Sequence, residues 1–349
     1  MSHCSAPSDT RIDIVYLWVN GNDPQWRAKR HRAAQQHDAI DHSAMALYGN
    51  VEGRFRDNDE LRYSLRALDR FFPDHGHVYV VTDGQTPSWL RPSSRLTLVD
   101  HRDLIPASQL PTFDSAHIES YVHRIAGLSE RFFYFNDDVF FGAPVQLDHW
   151  FWPGGVYATW SDDPVVEGTA LRSDENSLEN ASRLSAQWLS RLPGYEHTAR
   201  TFAHSPRPLL KSLLWAAEAE APELFKRVRS TVFRTWASPT LVSDFVLRWA
   251  LAQGVVRIRE GVHLHVTTGC ADQAQQLDAL IDTAGGLDFF CVNDTTDDAH
   301  GHDPRLAKVR AALQTLFPLA SRFENEPAGL GHTPPHRHLS RPRGSHQLA

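Results

Sequence analysis

The chain has 349 residues, of which 41% are hydrophobic and 22% charged, with a formal net charge of −7. That composition sustains a packed core and excludes global disorder. A mixed, net acidic chain also lacks the basic face that displaces counterions from phosphates, so no nucleic-acid partner is expected.

Residues 12–19 (IDIVYLWV) are β-branched and aromatic and predict a buried strand, broken by Asn20-Gly21-Asn22-Asp23-Pro24. A polar stretch, helical or mobile, continues to Gly53. Leu61, Leu65, Leu68 and Phe72 recur at helical spacing and predict a helix over 57–72. Asp57 and Glu60 fit its N-cap and N3 positions, as in a capping box, and Pro73 stops it. Strands are predicted over 77–82, ending at Asp83-Gly84, over 96–99, and over 132–135, ending at Asn136-Asp137-Asp138. A helix is predicted over 115–124. From about 160 to 200 the chain is rich in Ser, Asp, Glu and Asn without period, which reads as an insertion or a flap. Helices are predicted over 208–227, 240–253 and 304–317, a strand pair within 255–266, and a short strand over 289–293. Residues 325–349, rich in Pro, Gly, His and Arg, read as a disordered tail, and residues 1–10 as a flexible N-terminus without an apolar signal core.

Strands alternating with helices predict an α/β sheet, and in such sheets ligands gather beyond the carboxyl ends of the strands. Three predicted strand ends carry polar clusters: Asn20 to Asp23, Asp83-Gly84, and Asn136 to Asp138. Three cysteines, Cys4, Cys270 and Cys291, are too few for a disulfide framework and lack metal-finger spacing, which points to a reducing compartment. No run approaches the ~18 apolar residues that cross a bilayer, so any membrane contact is expected to be peripheral.

Three segments can carry chemistry, each with a plainer alternative. Arg54-Phe55-Arg56-Asp57-Asn58-Asp59-Glu60 is either a capped helix with solvated charges or a helix start flanked by arginines that hold a phosphate. Asp137 and Asp138 are either part of an Asn-Asp turn or a divalent-metal site, since adjacent carboxylates repel unless a cation or proton joins them. His204, between Ala203 and Ser205-Pro206-Arg207-Pro208, is either a loop histidine or a general base, and Arg234 either a surface residue or a phosphate clamp.

Taken together these segments resemble the Stealth family, which includes bacterial capsular polysaccharide phosphotransferases and the animal GlcNAc-1-phosphotransferase. The resemblance rests on residues 12–24 (IDIVYLWVNGNDP), on a long second block from 54–66 (RFRDNDELRYSLR) through 80–85 (VVTDGQ) to 134–142 (YFNDDVFFG), on 204–254 with His204, Pro206 and Arg234, and on 290–294 (FCVND) with 321–324 (SRFE). It implies a glycosyltransferase-A-like Rossmann-type core, about 11–160 and 255–324, with an added mainly helical lobe at about 161–254. It further implies transfer of a hexose-1-phosphate, with N-acetylhexosamine-1-phosphate the default, from a UDP-sugar to the hydroxyl of a glycan or glycolipid. UMP leaves and a phosphodiester forms, in capsule or exopolysaccharide synthesis. The missing signal core and the compartment where UDP-sugars occur point to a cytoplasmic protein, with the inner face of the membrane as its place of any membrane contact.

Carried onto this chain, the resemblance implies that Asp57, His204 and Arg234 act on the reacting groups. Trp18, Val19, Asn20, Gly21, Asp23, Arg56, Asn58, Glu60, Arg62, Asp83 and Gly84 line the nucleotide-sugar pocket. Asp137 and Asp138, with Asn293 and Asp294, hold a divalent metal, Mg2+ or Mn2+. A conventional glycosyltransferase, which releases UDP, fits the strand-end acids equally well. A non-catalytic glycan-binding protein fits them less, since a neutral glycan needs no carboxylate cluster.

Overall fold

The computed structural model describes residues 11–38, 45–46 and 49–325. The expectations for residues 1–10 and for the tail beyond Asn325 lie outside these residues. In chain order the strands are β1 (Ile12–Leu17), β2 (Val78–Thr82), β3 (Leu96–Asp100), β4 (Arg131–Asn136), β5 (Val139–Phe141), β6 (Phe151–Trp152), β7 (Gly155–Ala158), β8 (Arg207–Leu210), β9 (Val256–Ile258), β10 (His263–Thr267) and β11 (Phe289–Asn293). The α-helices are α1 (Pro24–Asp38), α2 (Glu60–Phe71), α3 (His101–Leu104), α4 (Ser115–Glu119), α5 (Ser177–Leu189), α6 (Lys211–Glu220), α7 (Pro222–Val228), α8 (Val246–Ala252), α9 (Gln273–Thr283) and α10 (Pro304–Leu316). Among the described residues no helix is long and apolar enough to cross a membrane.

The architecture is α/β. A five-stranded sheet has the order β3-β2-β1-β4-β8, with the first four strands parallel and β8 antiparallel at the edge. Every residue of β1 is buried, as expected for a parallel strand covered on both faces. Pro208 lies in β8, where an edge strand tolerates the missing N–H. A second sheet, β10-β11-β5, begins where the first ends: β4 stops at Asn136, Asp137 and Asp138 form the turn, and β5 pairs antiparallel with β11. The acidic turn therefore sits where the chain passes from one sheet to the other. Helix α2 is fixed beneath this junction, because Ser64 meets the Tyr16 hydroxyl at 3.0 Å and donates to the Val139 carbonyl at 2.7 Å.

Four expectations change. The predicted capping box at 57–60 does not form. Helix α2 starts at Glu60, and Asp59, its N-cap, takes a left-handed φ of 69° with no side-chain cap. Asp57 instead accepts from the Asp59 N–H at 2.9 Å, and Glu60 accepts from Asn58. Both acids thus serve the preceding loop and not the helix end.

The stretch read as aperiodic holds α5, opened by an Asn176–Glu179 capping box. Its buried side carries Ala181, Leu184 and Trp188 at helical spacing, but Asn180, Ser182, Arg183 and Ser185 are buried with them and dilute that period. The start of the predicted 208–227 helix is strand β8, which joins the segment 161–254 to the main sheet. Finally, the strands within 255–266 do not pair with each other: β9 joins β7, and β10 joins β11.

The segment after α10 is tied back to α2 by a buried ion pair. Glu324 accepts from Arg66 Nε at 2.7 Å and Nη2 at 2.8 Å, and from Arg62 Nε at 2.5 Å. Burial opposes its ionisation, but these donors and the Ser321 N–H hold its carboxyl down at about 2. Replacing Glu324 with Ala leaves the buried Arg66 charge without its partner, so we expect a loss of ~3–5 kcal/mol in urea denaturation. A change below about 1 kcal/mol would show that the pair contributes no more than an exposed one.

Candidate active site

A cavity of about 530 Å³ opens at the carboxyl ends of the parallel strands. Leu17, Trp18 and Val19 enter it after β1, Val81 from β2, Asn136, Asp137 and Asp138 after β4, Thr267 from β10, and Asn293 and Asp294 after β11. Parallel pairing aligns the ends of β1, β2 and β4 in the first sheet and of β10 and β11 in the second. Ser115 of α4, Ser177 of α5, Arg207 of β8 and the loop residues His204 and Arg234 also line the cavity.

One wall is acidic. Asp137 is pushed well above the usual carboxylate range by burial, and further by Asp138, Glu60 and Asp57. Burial and the Asp57 charge raise Glu60 to about 8, and burial raises Asp57 and Asp138 each to about 6. Oδ1 of Asp138 is buried and has no hydrogen-bond partner among the described residues. Crowded carboxylates with an unpartnered oxygen are the donor set that a hard divalent cation takes. The residues present therefore fit such an ion.

The other wall is basic. Arg54 is lowered to about 9 by burial and by the neighbouring Arg234. Its Nε is buried without a partner among the described residues, while its Nη2 donates to Ser115 Oγ at 3.2 Å. Arg234 donates to the same hydroxyl, to Ser177 Oγ at 3.2 Å and to Asp114 at 3.4 Å. Arg207 donates to the carbonyls of Val242 and Ala203 at 3.1 and 3.2 Å. Guanidinium groups held side by side by hydroxyls and carbonyls, with donors to spare, suit a phosphate.

His204 stands between the walls. Its Nε2 lies 3.0 Å from Asn136 Oδ1 and 3.9 Å from Asp138 Oδ1, and its Nδ1 lies 3.3 Å from Cys291 Sγ. Burial, then Arg207, Arg234 and Arg54, lower it to about 3, so the imidazole is neutral.

The structure gathers Trp18, Val19, Arg56, Glu60, Asp137, Asp138, His204, Arg234, Asn293 and Asp294 around this one cavity. Asp57, Asn58 and Gly21 line an adjoining cavity of about 270 Å³ that shares Arg56. Gly21 is required there by close approach, since a Cβ would stand 2.2 Å from the Phe55 carbonyl oxygen. The remaining predicted residues are engaged elsewhere. Asn20 exchanges hydrogen bonds with Gln85, Asp23 caps the Trp26 N–H at 2.7 Å, and Asp83 pairs with Lys29 at 2.6 Å. Gly84 forms the adjacent turn at φ 73°, and Arg62 pairs with Glu324. Asp294 engages both oxygens, one with Arg56 and the other with Thr268 and Thr296.

Sequence reasoning did not single out Glu119, Arg207, His265 or Cys291. Of these only Cys291 carried a usable signal, its place inside the apolar 289–293 run next to Asn293-Asp294.

The family models for Stealth protein conserved regions 1, 2 and 4 match residues 10–38, 54–158 and 281–334. An exopolysaccharide phosphotransferase of Streptomyces coelicolor is 34% identical over 316 residues, 90% of this chain and 33% of that protein. The exopolysaccharide phosphotransferase CpsY of Mycobacterium leprae is 34% identical over 315 residues, 90% of this chain and 57% of that protein. The chain thus spans about a third to three-fifths of the length of such relatives. Among solved structures, the galactosyltransferase LgtC in complex with donor and acceptor sugar analogs superposes with a TM-score of 0.43 at 10% identity, covering 91% of this chain and 98% of that one.

The acidic wall predicts an inverted pH dependence of stability. Carboxyls raised in the folded state bind protons that the unfolded chain has already lost. The histidines lowered to about 3–4 oppose this trend up to about pH 6.5, so stability of the metal-stripped protein is expected to fall from there towards about 8, following Glu60. Melting temperatures across that range test this, and Glu60→Gln should flatten the fall. Added Mg2+ or Mn2+ should raise the melting temperature more at the alkaline end. An equal rise at both ends would locate the ion away from these carboxylates.

Proposed function

Because this chain belongs to the Stealth family, we propose that its strand-end cavity transfers a hexose-1-phosphate from a UDP-sugar to an acceptor hydroxyl, releasing UMP. The observation that carries this reading is that buried carboxylates and buried guanidinium groups line one cavity. A diphosphate is the ligand that meets both, one face through a cation and the other through guanidinium groups.

In this reading Trp18, Val19 and the end of β2 hold the nucleoside. Asp137 and Asp138, with Glu60 and Asp57 behind them, would hold a divalent ion, Mg2+ or Mn2+. That ion, when bound, neutralises charge on the diphosphate and on the departing UMP. Arg54, Arg207 and Arg234 bind the oxygens of the sugar-linked phosphate and fix it for in-line attack. The acceptor oxygen bonds to that phosphorus, the bridging P–O bond breaks, and UMP leaves with the electron pair. The sugar's anomeric C–O bond is untouched.

The acceptor proton passes to the unprotonated nitrogen of His204. Three arginines oppose protonation of this ring. A bound dianionic donor offsets those charges and raises its basicity, so the base is switched on by the substrate it serves. Asp57, raised to about 6, is the second proton acceptor within the acidic cluster. The donor sugar in this proposal is an N-acetylhexosamine, the acceptor a cell-surface glycan or glycolipid, and the setting the cytoplasmic side of the membrane, where UDP-sugars occur.

Purified protein incubated with UDP-GlcNAc, Mg2+ and candidate glycans should release UMP and form a phosphodiester visible by phosphorus NMR. Release of UDP would instead assign a conventional glycosyltransferase. His204→Ala is expected to lower kcat by ~10²-fold or more. Arg234→Ala should lower kcat/KM, with far-UV spectra confirming the fold. Full activity in both variants would remove this cavity from the reaction.

A further inference from the structure

We infer that Asp138, His204 and Cys291 form a binding site for a thiophilic divalent ion of the zinc class, different in chemistry from the carboxylate site for a hard cation. One ligand atom from each of the three residues lies within 4.8 Å of the others. Sγ of Cys291 is 3.3 Å from His204 Nδ1 and 3.5 Å from Asp138 Oδ2. A tetrahedral ion with bonds of about 2.3 Å to sulfur and about 2.0 Å to nitrogen or oxygen sets neighbouring ligands about 3.5 Å apart. Two edges of such a tetrahedron are therefore already in place.

The histidine is oriented for the task. Asn136 Oδ1 can only accept, so the Nε2 at 3.0 Å carries the proton and donates to it. That leaves the Nδ1 lone pair directed at the Cys291 sulfur. A ligand histidine whose other nitrogen is fixed by an acceptor is the usual arrangement around zinc. Three separate elements supply the ligands: the turn after β4, the loop before β8, and β11. The fold, not a local motif, sets their spacing.

Charge also balances. As the metal–sulfur bond forms, the Cys291 thiol releases its proton to solvent. One thiolate and one carboxylate then neutralise the dication, the neutral imidazole completes three ligands, and the fourth position is open to water. Sulfur selects a zinc-like ion over Mg2+, whereas Asp137, Glu60 and Asp57 offer only the hard oxygens that Mg2+ prefers. Occupancy would withdraw Asp138 from the hard-cation site and the Nδ1 lone pair from the acceptor proton, so the ion would inhibit transfer. That consequence rests on the proposed function; the binding itself does not.

Co2+ added to the metal-stripped full chain is the probe. One equivalent should give a near-ultraviolet sulfur-to-cobalt charge-transfer band with visible bands of tetrahedral intensity, and Zn2+ should displace both. Cys291→Ser should abolish the charge-transfer band, and Cys291→Ser and His204→Ala should each weaken Co2+ binding at least tenfold, with far-UV spectra verifying the fold. Absence of the band in the unaltered protein, or its survival in Cys291→Ser, overturns the site whatever the variants do to folding. Zn2+ at a level that fills the site should slow UMP release in excess Mg2+ at least tenfold, and Cys291→Ser should be at least tenfold less sensitive. Equal sensitivity overturns the inhibition. If no UMP is ever released, the cobalt spectra still decide the binding.

Discussion

Carboxylates crowded at one end of a parallel sheet cannot all be ionised without a positive charge among them. In this protein Arg56 pairs with Asp294, but Asp57, Glu60, Asp137 and Asp138 form no ion pair with a lysine or arginine among the described residues. Asp57, Glu60, Asp137 and Asp138 are each pushed up in pKa by burial, while Arg54, lowered by burial and by Arg234, lacks a partner for its Nε among the described residues. Buried ionisable groups raised or lowered in this way are common where a site is preformed for a charged ligand.

The scaffold holds the walls apart from two directions. The acidic wall hangs from the junction of two sheets, where β4 ends and β5 turns away to pair with β11. The loop before α2 is pressed against it. A Cβ on Gly53 would stand 2.5 Å from the Thr296 carbonyl oxygen and 2.6 Å from Asp294, so only glycine permits that approach. The basic wall is anchored in the segment that adds β8 to the sheet edge, and Ser115 and Asp114 tie Arg234 to the start of α4.

His204 connects the two readings of the cavity. A neutral ring flanked by arginines is a poor base in the empty site and a better one when an anion arrives. The same neutral ring, oriented by Asn136 towards Cys291, is a competent soft-metal ligand. Both follow from one tautomer, and they compete for one lone pair.

Much of the scaffold was legible from the chain alone. The apolar runs of β1, β2 and β4, the period of α2 and α10, and the polar clusters at strand ends are local patterns, and alternating strands and helices lead to a parallel sheet with its ligand end defined. Helix α5 was not legible because its buried side contains Asn180, Ser182, Arg183 and Ser185, which pack through hydrogen bonds such as Ser185 to Asp244 at 2.6 Å. The capping box at Asp57 was misread because its residues turn into the loop, a choice made by the left-handed Asp59. Sequence determined which residues could carry chemistry, since residue type and local period are properties of neighbours along the chain. Only the tertiary structure decided which of them meet, placing Cys291 and Arg207 beside His204 and leaving Arg62 and Asp83 in ion pairs elsewhere, because strand pairing joins residues tens to hundreds of positions apart and no local period records that distance.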